Sequence, residues 1–177
     1  ITLAIPLKAT DISGDNSAVS WVYGVNSLMS IVLQYPLMRI TERYLSPAST
    51  LVLGIAIMSI GLGAIAIAPT STVLLVCVAL YSLGGLLSSP SQQTVAANLA
   101  NSAALGSYFG VAGLAIAVGG GMGSFSGGTL YGLGTSLQQP YLPWLTFMGV
   151  GIITGILLVV YFHRYQMLRQ QSANSSQ

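Results

Sequence analysis

The chain has 177 residues, of which 53% are hydrophobic and only 5% are charged, and its formal net charge is +2. A soluble domain usually carries about 25% charged residues, so this composition argues against a soluble enzyme, excludes a disordered chain and leaves no basic surface for nucleic acid. It indicates a polytopic membrane protein.

Five apolar stretches are long enough for membrane-crossing helices, which need about 20 residues. The first extends from Ser17 to Met38. The other four lie in a segment from Tyr44 to His163 that contains no Asp, Glu, Lys or Arg. Pro, Gly and polar residues separate them, so we place them at 48–68, 72–97, 105–131 and 144–162. Residues 1–7 are too short to cross and are interpreted as the end of a further helix. No stretch alternates as barrel strands do, so the sequence predicts an all-α membrane bundle.

The first residue is Ile1 and no signal peptide precedes the first span, so we expect the C-terminal part of a longer protein. Residues 1–165 are predicted to form one transmembrane bundle. Residues 166–177 are predicted to form a polar, disordered cytoplasmic tail.

Arginines mark one side of the membrane. Two follow the first full span and two follow the last, with four spans between the pairs: Arg39, Arg43, Arg164 and Arg169. The positive-inside rule makes that side cytoplasmic, so residues 39–47 and the tail are expected inside, and residues 10–16 and 133–142 outside. Aromatic residues near these boundaries are expected at the membrane interfaces, namely Trp21, Tyr23, Tyr141 and Trp144 outside and Tyr44 and Tyr161 inside.

The first full span carries a polar face, whose members recur at three- and four-residue steps: Tyr23, Asn26, Ser27, Ser30 and Gln34. Polar groups in a bilayer turn toward other helices or toward a water-filled cavity. Hydrogen bonding between helices and cavity lining both remain open. The candidate cavity residues on this face are Tyr23, Asn26, Ser30 and Gln34.

The third full span carries Ser89, Gln92 and Gln93 beside Pro90. A proline at this point predicts a kink, which either shapes a substrate site or is purely architectural. Ser89, Gln92 and Gln93 are therefore further cavity candidates. The second and fifth full spans are the least polar, and we expect them to face lipid over much of their surface.

Glycine is concentrated in the fourth span, where Gly119, Gly123 and Gly127 share one helix face. Such spacing lets another helix approach closely, so these residues are predicted to serve helix packing, and Gly151 and Gly155 repeat the spacing in the last span. A phosphate-binding loop is rejected, because no strand precedes the glycines and no GxxxxGK[ST] follows.

No catalytic or metal-binding constellation is visible, since the chain has one cysteine, Cys77, and one histidine, His163. We expect no enzyme activity, no cofactor and no metal site.

The segment from Met38 to Pro47 resembles the loop signature of the major facilitator superfamily, and Arg39, Glu42 and Arg43 match it in charge. Further stretches are similar to the MdtH-type multidrug efflux transporters of that superfamily: 81–90, 106–110, 127–130 and 139–144. The resemblance implies the C-terminal six-helix half of a twelve-helix fold, comprising the end of helix 7 and helices 8–12. The N-terminal half is then expected as a missing partner.

The resemblance also implies proton-coupled export of a small, amphiphilic molecule by alternating access in the bacterial inner membrane. Arg39, Glu42 and Arg43 would form a cytoplasmic gate. Uptake of a nutrient such as a sugar, and a non-transporting membrane scaffold, remain as alternatives, whereas a channel would need a filter motif that is not visible. No Asp, Glu or His lies within a span, so the proton carrier is expected elsewhere in the protein.

Overall fold

A computed structural model describes residues 5, 10, 17–101 and 104–174 of the chain, with the backbone alone at 17–18 and 165–174. Its helices are α1 (Ser17–Tyr44), α2 (Pro47–Ala66), α3 (Ser71–Leu99), α4 (Leu105–Ser136) and α5 (Leu142–Asn174). No strand occurs in the described part of the chain, so the all-α prediction is confirmed. The partial helix predicted at 1–7 lies outside the described residues, except for Ile5.

Four of these helices are long and apolar enough to cross a membrane: α2, α3, α4 and the part of α5 from Leu142 to Arg164. The chain is therefore a multi-pass membrane protein. Helix α1 has 28 residues and is long enough to cross a membrane, but it is less apolar than the other four helices. The polar side chains of its predicted face lower its hydropathy, so the prediction of five full spans is confirmed for four.

Helix α1 ends at Tyr44 rather than at Met38, so the charged segment from Arg39 to Arg43 is helical and does not form a loop. The sequence has no Gly or Pro between Arg39 and Tyr44 that would end the helix earlier. Leu45 and Ser46 alone connect α1 to α2. Ser46 caps α2, since its Oγ accepts a hydrogen bond from the Ser49 N–H at 3.2 Å. Pro47 then occupies the first turn, where its missing N–H costs nothing.

The later helices also exceed their predicted lengths. Helix α3 is continuous through Pro90. Helix α4 continues to Ser136, and Gln138 in the following turn has a positive φ of 53°. Helix α5 continues to Asn174, so residues 166–174 are helical where a disordered tail was predicted. The Gln, Met, Leu and Arg residues there are good helix formers, and no Gly or Pro interrupts them.

Helix α2 is the centre of the bundle, because it packs extensively against both α3 and α5. Helix α3 also contacts α1, whereas α4 has few contacts, and among the five described helices these are with α3 and α5. Only part of α2 is buried between these helices, and Leu53, Ala56 and Ile60 are exposed, so lipid contact over much of its surface stays a prediction. Low polarity suits a helix–helix interface as well as it suits lipid, so composition alone could not separate the two.

Glycines let α2 and α3 approach each other closely. A Cβ added to Gly54 would lie 2.8 Å from both the Gly84 carbonyl oxygen and the Ser88 nitrogen. A Cβ on Gly61 would lie 2.8 Å from the Tyr81 nitrogen. Both distances are too short for any residue but glycine. The crossing therefore depends on van der Waals contact between backbones, as is usual within a bilayer.

The packing of α5 on α2 also involves glycine. A Cβ on Gly151 would overlap the Ser59 hydroxyl, and one on Gly155 would be in ordinary contact with Ile55 at 3.9 Å. The close packing predicted at Gly151 is therefore confirmed, with α2 as the partner, whereas the contact at Gly155 would also admit a Cβ.

A compact hydrophobic cluster joins the ends of α2, α3 and α5 around Trp144, which is 0% exposed. Ile65, Leu74 and Val78 belong to the same cluster. Trp144 was expected at the membrane interface, but its side chain is buried within the bundle and does not face outward. Trp144 does lie at the start of α5, where its indole ring packs among residues of α2 and α3. Trp21, at 67% exposure, remains available for the interface.

Candidate functional site

The predicted polar face of α1 lies on the surface of this chain. Tyr23 is 48% exposed, and Asn26 and Gln34 are also exposed. Ser30 is half-buried, and its hydroxyl donates to the Asn26 carbonyl oxygen at 2.9 Å within the same helix. The face therefore presents hydrogen-bonding groups that this bundle does not use.

The polar residues of α3 divide into two groups. Ser88 and Ser91 are buried, and the Ser88 hydroxyl is 3.4 Å from the Met58 sulfur of α2. The three cavity candidates Ser89, Gln92 and Gln93 are exposed. Buried and exposed residues alternate around Pro90, whose carbonyl oxygen accepts a hydrogen bond from the Thr94 hydroxyl at 3.1 Å. The exposed group thus faces away from the α2–α3 interface.

The two exposed polar faces belong to neighbouring helices, because α1 packs against α3. At a rise of about 1.5 Å per residue, Gln34 lies about 15 Å before the end of α1, and Gln92 about 10 Å before the end of α3. These two residues thus lie at similar distances from the ends of their helices, whereas Tyr23 and Asn26 lie near the start of α1.

The described residues contain no hydrogen bond between these two faces. Interhelical bonding within this chain, one of the two readings of the polar face, therefore has no support among them. The arrangement offers amide, hydroxyl and phenol groups without a charge. Such groups can orient a ligand by hydrogen bonds, and they do not select against cationic, anionic or neutral ligands.

The charged segment at the end of α1 is exposed, and Thr41 anchors it. The Thr41 side chain is buried, and its hydroxyl donates to the Leu37 and Met38 carbonyl oxygens at 3.0 and 3.1 Å. Among the described residues, neither Arg39 nor Glu42 makes an ion pair. The Arg43 guanidinium carbon lies 5.7 Å from the centre of the Tyr44 ring. Arg39 and Glu42 are therefore available to a partner.

The predicted packing glycines of α4 have different surroundings. Gly127 is buried, whereas a Cβ at Gly119 or Gly123 would meet no atom of the described chain within 4 Å. Packing at these two positions stays a prediction. The close packing that the structure contains lies instead at Gly54, Gly61 and Gly84. The seven-residue step from Gly54 to Gly61 was the available signal, since it places both on one helix face.

Metal binding has no visible basis in the described residues, where no three His, Cys, Asp or Glu side chains form a group that could hold an ion. Within the described part of the chain, the Ser82 hydroxyl and the Trp144 indole nitrogen are buried without a hydrogen-bond partner. Trp144 lies in the apolar cluster described above, and Ser82 is buried in α3, so neither belongs to the exposed polar faces.

The family model of the Major Facilitator Superfamily matches residues 1–176 of the chain. Among curated proteins, Multidrug resistance protein MdtH of Aeromonas salmonicida (strain A449) is 35% identical over 164 residues, which are 93% of this chain and 41% of the relative. The protein of the same name from Escherichia coli (strain K12 / DH10B) is 32% identical over 170 residues, 96% of this chain and 42% of the relative. No solved structure matches the chain at a comparable level of significance.

A third protein of that name, from Aeromonas hydrophila, is 36% identical over 164 residues, 93% of this chain and 41% of the relative. The chain thus spans about two fifths of the length of the curated relatives that it matches.

Proposed function

The chain belongs to the major facilitator superfamily, and we propose that it forms the C-terminal half of a proton-coupled exporter of small amphiphilic molecules. The observation that carries this proposal is the pair of exposed, uncharged polar faces on α1 and α3, in a chain whose relatives are named multidrug resistance proteins. In the proposal these faces line a substrate cavity, and their residues are Tyr23, Asn26, Ser30, Gln34, Ser89, Gln92 and Gln93.

The cavity needs a second wall, which the proposal assigns to the N-terminal half of the same transporter. Two findings support this. The relatives are more than twice as long as the chain, and α4 has an almost fully exposed apolar surface. In this arrangement Gly119 and Gly123 of α4 approach a helix of the other half. Alternating access is then a rocking of one half against the other around a site near the bilayer midplane.

The proposed orientation places the end of α1 and the end of the α5 span in the cytoplasm of a bacterial cell. Arg39, Arg43 and Arg164 support it, because basic residues accumulate on that side. Arg39, Glu42 and Arg43 then form a gate by ion pairing with the other half at its cytoplasmic edge. Their exposure and the absence of ion pairs at Arg39 and Glu42 within the described chain fit this role.

Single substitutions on the α1 face test the cavity. In inverted membrane vesicles holding the intact protein, Asn26→Ala and Gln34→Ala should lower transport of some fluorescent amphiphiles by about two- to tenfold, the worth of one hydrogen bond, and leave others unchanged. Gln139→Ala is the matched control, since Gln139 is exposed in the α4–α5 turn. An equal loss for every compound, with less protein in the membrane, would contradict cavity lining.

Uptake of a nutrient, such as a sugar, is the alternative function. It predicts that substrate moves out of inverted vesicles rather than into them, and that a single solute class is carried. A non-transporting scaffold predicts no substrate movement in either direction. The same vesicle assay therefore separates the three.

A further inference from the structure

A groove runs along the surface between α2 and α5. One section, of about 440 Å³, is lined by α2 residues between Val52 and Ile60 and by α5 residues between Met148 and Val160. A second section, of about 450 Å³, shares part of this lining and continues to Ser46 and His163. The two sections thus form one continuous depression, the α2–α5 groove.

The two ends of the α2–α5 groove differ in chemistry. Ser59 is the only polar side chain of the first section, and its hydroxyl donates to the Ile55 carbonyl oxygen at 2.8 Å, so it offers no free donor. The second section ends at the hydroxyls of Ser46 and Ser49, 2.9 Å apart, and at the imidazole of His163. An apolar channel with a polar end is the shape of a site for an amphiphile.

The length of the α2–α5 groove corresponds to one bilayer leaflet. Between Ser46 and Ile60 the helix axis rises about 21 Å at 1.5 Å per residue. A leaflet measures about 20–22 Å from its headgroups to the midplane. A lipid with its headgroup at Ser46 would therefore place its chain along Val52, Ala56 and Ile60.

The charge at the polar end favours an anion. Ser46 and Ser49 lie at the N-terminus of α2, where the helix dipole contributes partial positive charge. Arg164 follows His163 directly, and no carboxylate lines either section. A phosphate that lacks a compensating headgroup cation fits this end better than a zwitterion does.

We propose that the α2–α5 groove binds one phospholipid with an anionic headgroup. An acyl chain occupies the apolar section, and the phosphate lies beside Ser46, Ser49 and His163. Gly155 keeps the apolar section open, because a side chain there would extend into the groove past Ile55. This site is separate from the polar faces of α1 and α3. It would therefore hold a membrane lipid and not the transported substrate.

Lipid retention by the intact protein tests the proposal. The purified protein in detergent is mixed with phosphatidylglycerol or phosphatidylcholine of identical acyl chains, and the bound lipid is counted by native mass spectrometry. We expect phosphatidylglycerol to be retained about fivefold better, the factor that one favourable charge contributes near a membrane surface.

Two variants and their controls locate the site. Ser49→Asp places a negative charge at the polar end without harming α2, because an acidic residue suits the first turn of a helix. Thr72→Asp, in the first turn of α3, is its control. Gly155→Leu fills the apolar section, and Gly149→Leu is its control, since Gly149 is open and does not line the groove.

We expect Ser49→Asp to abolish the preference for phosphatidylglycerol and Gly155→Leu to reduce retention of both lipids, with both controls unchanged. Equal retention of the two lipids by the unaltered protein would overturn the proposal. So would losses in the controls that match the losses in the groove variants.

Discussion

Gly54 and Gly84 bring α2 and α3 so close together that a Cβ on Gly84 would lie 2.5 Å from the Gly54 carbonyl oxygen. The same Cβ would lie 2.5 Å from the Met58 nitrogen, so backbone rather than a flexible side chain blocks it. Because α2 also packs against α5, it is the helix that connects α3 with α5.

Gly84→Ala should therefore destabilise the protein by about 1–3 kcal/mol, the usual cost of overpacking. Gly85→Ala is the matched control, because a Cβ at Gly85 meets nothing within 4 Å and alanine is the better helix former. Thermal unfolding of the intact protein in detergent measures both. Equal stability of the two variants would contradict the close crossing.

The fold was largely predictable, because apolar runs of membrane-spanning length leave the backbone no alternative to a helix. The contacts were not. Glycine spacing on α4 identifies a face without identifying its partner, whereas Gly54 and Gly84 become meaningful only once α2 and α3 are side by side. Hydropathy likewise placed Trp144 near a helix end, but its 0% exposure depends on the ends of α2 and α3 that pack around it.

The indole nitrogen of Trp144 is buried and has no hydrogen-bond partner among the residues that the structure describes. Trp144→Phe keeps a large ring in the cluster and removes only an unsatisfied donor, so we expect it to cost less than about 1.5 kcal/mol. Trp144→Ala leaves a cavity and should cost about 3–5 kcal/mol. Unfolding measurements distinguish the two, and a phenylalanine variant as unstable as the alanine variant would indicate a bonded indole.

The proposed orientation predicts opposite labelling of the two connections that follow α1 and α4. Single cysteines at Leu45 and Gln139, both exposed in short connections, should react with a membrane-impermeant maleimide from opposite sides. Leu45→Cys should react only in inverted vesicles and Gln139→Cys only in intact cells. The native Cys77 is buried, and Cys77→Ser removes it as a background. Reaction of both positions from one side would contradict the orientation.

The gate proposal predicts that Glu42 matters through its charge. An exposed ion pair contributes only about 0–1 kcal/mol, so Glu42→Gln should reduce transport by up to about fivefold. Glu42→Asp keeps the carboxylate and should retain most of the activity. Membrane insertion should be the same for both, because Glu42 is exposed at the end of α1. If Glu42→Gln transports as fast as the unaltered protein, the gate proposal is contradicted. The charged segment from Arg39 to Arg43 would then serve only to orient the protein in the membrane.

The apolar stretches of this chain lack the acidic and histidine side chains that usually carry protons across a bilayer. Between Ser17 and Met38 there is no Asp, Glu or His, and from Tyr44 onward there is none until His163. His163 is exposed near the end of the span Leu142–Arg164, so we expect it at the membrane edge rather than in the bilayer interior. Proton-driven transport needs an ionisable group that changes its charge inside the bilayer as access alternates. Free tyrosine ionises only near pH 10, so the tyrosines of the spans are poor substitutes.

The proton carrier is therefore expected outside the five helices α1 to α5. Joint replacement of Asp11, Asp15 and His163 in the intact protein, by Asn, Asn and Gln, should leave transport dependent on the proton gradient. Transport into inverted vesicles is followed with and without a protonophore, and substrate binding in detergent serves as the control for folding. If the triple variant binds substrate but no longer responds to the protonophore, one of these three residues carries the proton.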